Sequence, residues 1–145
     1  MTSRTAFDPA WVDAILEWRW TWLIARLALT SAYVLGGAVK LLDFPAAIAE
    51  QAHVGLHPAA LWAALTIVVE LGGSALVIAG RLVWLGAGAL GVLTAVAALV
   101  ANNFWALQGD ARFAATNAFF EHIGLIAGLV LAALIAERER RLPRL

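Results

Sequence analysis

Cysteine is absent from the sequence. That excludes disulfides, thiolate-held zinc or iron–sulfur clusters, covalently attached c-type haem and CxxC redox chemistry. Charge is scarce as well. Asp, Glu, Lys and Arg make up 14% of the residues, and they balance to a formal net charge of zero, so no basic patch argues for nucleic acid. The chain has no Gly-rich phosphate loop, no HExxH and no GxSxG element, which removes the commonest signatures of nucleotide, metalloprotease and hydrolase chemistry. The first residues carry no signal-peptide pattern, so insertion is expected to rest on later segments.

Apolar residues fill the space left by charge, at 63% of 145 residues, against roughly half in average globular chains. A single domain of this length cannot bury that much apolar surface in a soluble core. Four apolar segments, 22–42, 58–79, 82–107 and 116–136, each approach the roughly 20 residues that a helix needs to cross a bilayer. Lipid offers no hydrogen bonds to the backbone, so each segment reads as a helix. The fold expected is an all-α membrane protein, a four-transmembrane-helix bundle forming one domain over 1–145.

Residues 8–21 precede the first span. Asp8 suits an N-cap and Pro9 the first helical position. Trp11, Ile15, Trp18 and Trp22 share one helical face, the pattern of an amphipathic helix lying in the interface. Between the first two spans, PAAIAEQAH suits a short helix that Gly55 would end. Gly80 and Arg81 suit a tight turn between the second and third. Arg4, Arg19, Arg81, Arg138, Arg140, Arg141 and Arg144 fall on one side of the bundle, whereas Arg112 and Lys40 fall on the other. The excess of Arg assigns the first side to the cytoplasm, giving N-in/C-in topology and a cytoplasmic tail at 137–145.

A lone charge at bilayer depth costs about 2.5–3.5 kcal/mol on insertion scales, so such groups are expected to pair inside the bundle. Helical rise sorts them by depth. Arg26 and Glu70 form an inner group. Lys40, Asn102, Asn103, Glu121 and His122 form an outer one, with Glu121 expected on Lys40 or the asparagines and His122 on a neighbouring helix. Two readings stand for this polar network: a device that fixes helix register, or a proton-handling pocket near a quinone. Glu50, His53 and His57 have i, i+3, i+7 spacing, the one weak candidate for a metal. Gly55 and Pro58 argue against the continuous helix it requires.

Three stretches together resemble the DoxX family of small four-helix membrane proteins, which includes DoxD-like relatives: AYVLGGAVKLLDF (32–44), VELGGSALVIAGR (69–81) and NAFFEHIGL (117–125). Gly36, Gly37, Lys40, Glu70, Gly72, Gly73, Gly80 and Arg81 occupy the family's patterned positions. Many members carry a His before the first-helix glycine. Here that segment holds Tyr33, so no role of that His is carried over. The resemblance implies a bacterial-type inner-membrane protein associated with redox systems such as thiosulfate:quinone oxidoreductase. With no cysteine and no cofactor motif, the expected role is a non-catalytic accessory or quinone-side subunit of an oxidoreductase complex. Expected partners are the lipid bilayer, soluble or membrane redox subunits and further copies of the chain. No cofactor is built in, and a quinone is the one the resemblance points to. The alternatives are a small proton-coupled transport protein and a structural scaffold or assembly factor.

Overall fold

The computed structural model describes residues 9–141. Asp8, Arg4 and Arg144 lie outside them. The described residues form helices joined by short turns, with no strands. Helix α1 spans Ala10–Leu16, α2 Thr21–Leu42, α3 Phe44–His53, α4 Ala59–Ala79, α5 Val83–Ala101 and α6 Gly109–Arg141. Four of these, α2, α4, α5 with the turn that follows it, and α6, are long and apolar enough to cross a bilayer. At about 1.5 Å per residue, the 21 residues of α4 reach about 31 Å, the thickness of a hydrocarbon core.

Local sequence accounts for where the helices begin and end. Asp43 caps α3 by accepting the Ala46 N–H at 3.1 Å, with Pro45 in the first turn. Gly55 follows α3 at φ 79°, and Gly80 ends α4 at φ 69°. Both angles lie in the left-handed region that glycine enters without a Cβ penalty. Pro9 stands one position earlier than expected, at the N-cap of α1, and Pro58 is the N-cap of α4. Helix α1 is shorter than 8–21: it buries nothing, and it exposes Trp11, Ile15 and Leu16.

Two boundaries differ more. The third span does not run unbroken to 107. It stops at Ala101, and a single 3₁₀ turn, Phe104–Ala106, follows Asn102 and Asn103. The fourth helix starts at Gly109, seven residues before 116, and continues through Glu137 to Arg141. At its end Glu137 accepts hydrogen bonds from Arg140, at 2.9 and 2.8 Å, and from Arg141, at 2.7 Å. These i, i+3 and i, i+4 pairs carry the helix past its apolar run.

The bundle core is small: Tyr33, Val77, Val83, Ala87, Leu90 and Leu129. Helices α4 and α5 cross where Gly73 meets Gly86. A Cβ at Gly86 would lie 2.6 Å from the Gly73 carbonyl oxygen, so only glycine permits the approach. Most other large apolar residues face outward, among them Leu35, Leu42, Val68, Val92 and Phe113. In water that surface would aggregate. Around a transmembrane bundle it meets lipid.

Candidate functional site

The polar feature at the heart of the bundle is an ion pair. Lys40 Nζ donates to Glu70 Oε1 at 3.2 Å and Oε2 at 3.4 Å. The two side chains are 15% and 11% exposed. Three sequence features make room for them. Helices α2 and α4 run antiparallel, with Gly36 opposite Glu70. A Cβ at Gly36 would sit 3.4 Å from Glu70 Oε2 and 3.5 Å from Lys40 Nζ, and one at Gly37 would lie 2.8 Å from Leu71. Lys40 stands one turn beyond Gly36, so its flexible stem folds back over the glycines to reach the carboxylate. Glu70 itself lies in a π-helical turn, Val69–Gly73, within α4. Such a turn inserts a residue into the helix and recurs at functional sites.

The pair opens onto a cavity of about 730 Å³ between α4 and α5, closed at one end by α3. Glu50, Gln51 and Thr66 supply the remaining polar lining, while beyond Glu70 the walls are Leu85, Gly88, Ala89, Val92 and Trp84. Residues 84 to 101 of α5 border it, a length of about 25 Å at helical rise. A charged pair at one level of a long apolar cleft is the usual build of a site for a lipophilic molecule with a polar head.

A second polar contact ties α2 to α5. Tyr33 Oη and Thr94 Oγ1 are 2.6 Å apart and buried. Thr94 donates its only proton to the Leu90 carbonyl at 2.7 Å, so Tyr33 donates to Thr94. The sequence marked Tyr33 only by the absence of a histidine, and gave Thr94 no distinction within an apolar run. Gln51 and Thr66 were equally unmarked.

The remaining expected site residues are dispersed. Arg26 does not reach Glu70. Its guanidinium lies 4.6 Å over the Trp22 ring and against Gly80, where a Cβ would collide with Nη1. Ten residues of α4, about 15 Å, separate Gly80 from Glu70, so the inner pairing gives way to Lys40–Glu70. Glu121 does not bind Lys40, whose acceptor is Glu70, nor the asparagines. It is exposed. His122 Nδ1 lies 2.6 Å from the Ala118 carbonyl of its own helix rather than on a neighbour. Beside them Phe119 packs edge-on against Phe104 at 5.3 Å and Trp105 at 6.1 Å, so aromatic contact is what NAFFEHIGL contributes to the packing. Asn102 and Asn103 flank the break after α5. Glu50 lines the cavity, but α3 ends at His53 and Gly55 turns the chain before His57. Among the described residues no three His, Cys, Asp or Glu side chains group as a metal site.

The family model for DoxX matches residues 21–103, more than half of the chain. The matched region holds Lys40, Glu70, the paired glycines and the whole cavity lining between α3 and α5. No curated protein matches the chain, and no solved structure does.

Proposed function

We propose, from the premise that the chain belongs to the DoxX family, that it is a membrane subunit of a redox complex and receives a quinone in the Lys40–Glu70 cavity. The observation that carries this reading is the shape and polarity of that cavity: one ion pair set into about 730 Å³ of otherwise mostly apolar space. Reducing a quinone to the quinol takes two electrons and two protons. Under this reading a partner subunit supplies the electrons, and the chain's own contribution is binding and proton handling.

Each residue has a role under this reading. The Lys40 ammonium is the donor that holds a carbonyl oxygen. Glu70, desolvated and held by Lys40, is the carboxylate that takes or returns a proton at its Oε atoms. Glu50 and Gln51, at the α3 end of the same cavity, lead from that carboxylate towards the surface. The walls formed by Val92, Gly88 and Trp84 exclude water and accept an isoprenoid tail. The proposal includes the membrane setting. Arg19, Arg81, Arg138, Arg140 and Arg141 lie towards the Gly80 end of the bundle, which supports placing that end on the cytoplasmic side of a bacterial-type inner membrane. Helix α1, with Trp11, Ile15 and Leu16 exposed, then lies in the interface.

Trp62 and Trp84 line the cavity and report on it. Titration of the protein in nanodiscs with a short-tailed ubiquinone is expected to quench tryptophan fluorescence saturably. Lys40→Met should weaken the apparent affinity by about tenfold or more, the loss of a charged hydrogen bond. Quenching that never saturates, or that is the same in the variant, rejects the site. A proton-coupled transporter would instead move a solute into proteoliposomes with a pH dependence lost in Glu70→Gln.

A further inference from the structure

A second site lies at the opposite end of the bundle; its headgroup corner plays no part in the quinone reading, and its groove shares only Trp84, Gly88 and Val92 with the wall of the quinone cavity. Arg26 sits five residues into α2, about 7.5 Å from its start. It forms no ion pair with any described residue. Its Nε and the Nε1 of Trp22 are buried donors with no partner among the described residues. The Trp22 ring covers one face of the guanidinium, and a cation at this depth also calls for an anionic partner.

Gly80, against which Arg26 rests, rims a hollow of about 380 Å³ whose far side is α6, with Glu137, Glu139 and Arg140. Glu137 is taken by Arg140 and Arg141. Glu139 forms no ion pair with a described residue, although its charge acts on Arg26. Arg26 thus rests on the Gly80 rim, stacked on Trp22, and Glu139 lines the α6 side, neither in an ion pair with a described residue. The hollow also continues into an apolar groove of about 680 Å³ between α5 and α6. Trp84, Ala133 and Glu137 line both. Along that groove Gly88 and Gly91 face open space, where an added Cβ would meet nothing within 4 Å.

We propose that this corner binds a zwitterionic phospholipid of the phosphatidylethanolamine type, its phosphate on Arg26, its ammonium on Glu139 and an acyl chain along the α5–α6 groove. The planar guanidinium matches a phosphate oxygen pair, and basic corners between transmembrane helices are recurrent headgroup sites. The carboxylate sets the class. It accepts an ammonium N–H, which a glycerol headgroup lacks and a quaternary ammonium does not offer. The groove supplies what a free phosphate ion lacks, an apolar surface for a chain.

The test is native mass spectrometry of the delipidated full-length protein with phosphatidylethanolamine, phosphatidylglycerol and phosphatidylcholine of matched chains, and with inorganic phosphate as a separate arm. Wild type is expected to retain phosphatidylethanolamine about tenfold better than the other two lipids, the loss expected when a charged hydrogen bond is missing. Arg26→Gln should lose that retention. Gly80→Ala, which keeps the charge but displaces the guanidinium, should lose it too, and helicity by circular dichroism checks that both variants fold. Glu139→Gln should bring phosphatidylglycerol level with phosphatidylethanolamine. Gly91→Leu should weaken all three lipids. Equal retention of the three lipids by wild type, or retention unchanged in both Arg26→Gln and Gly80→Ala, overturns the proposal. Displacement of the lipid by millimolar phosphate overturns it in favour of a soluble anion.

Discussion

Replacing Lys40 by methionine leaves Glu70 facing an apolar cavity without its partner. Methionine keeps most of the stem's volume, so the perturbation is electrostatic rather than a void. Removing one member of a buried pair costs about 3–5 kcal/mol when the remaining charge stays ionised. The assay is unfolding in mixed micelles, followed by helicity. Lys40→Met should lose about 3–5 kcal/mol, and Lys40→Met with Glu70→Gln should recover most of that deficit. No deficit in Lys40→Met, or a deficit that Glu70→Gln does not relieve, refutes the claim that Glu70 is buried and held by Lys40.

Further outcomes follow from the packing. Gly86→Ala, with its Cβ 2.6 Å from the Gly73 carbonyl oxygen, should destabilise by about 1–3 kcal/mol, while Gly88→Ala, facing open space, should stay within about 0.5 kcal/mol of wild type; both are read by the same unfolding titration. Tyr33→Phe removes a buried donor whose acceptor keeps its bond to Leu90, so a loss of about 0.5–1.5 kcal/mol is expected, with helix content unchanged. Glu121→Gln, on an exposed carboxylate, should change neither stability nor the affinity for a short-tailed ubiquinone in the tryptophan-quenching titration.

The four apolar helices were legible because a span announces itself by length and composition alone. Partners across helices were not. Depth along each segment gives every helix its own ruler, but the offset between rulers is a tertiary quantity. Here Gly36 stands opposite Glu70, which places Arg26 level with Gly80 and brings Lys40 back onto Glu70. The paired glycines at 36 and 37 were visible as a packing signal; that they frame the ion pair appears only once α4 is laid against them. The π-helical turn at Val69–Gly73 left no sequence mark beyond Gly72 and Gly73. Glu121 and His122 misled for a different reason. Ionisable residues drew attention in an apolar run, while their aromatic neighbour Phe119 makes the contacts. Gln51 and Thr66 of the cavity lining, and Thr94 of the Tyr33 contact, were silent, since an uncharged polar residue in an apolar stretch carries no pattern of its own.

The central claim is that the cleft between α4 and α5 holds a quinone against Lys40 and Glu70. Photolabelling with an azido-quinone in native membranes, followed by peptide mapping, tests it most directly. The account predicts label on the α4 stretch Leu65–Glu70 and the α5 stretch Leu85–Ala97, competed by excess unlabelled quinone and lost in Lys40→Met. Label confined to α6, or label that excess quinone does not displace, contradicts it.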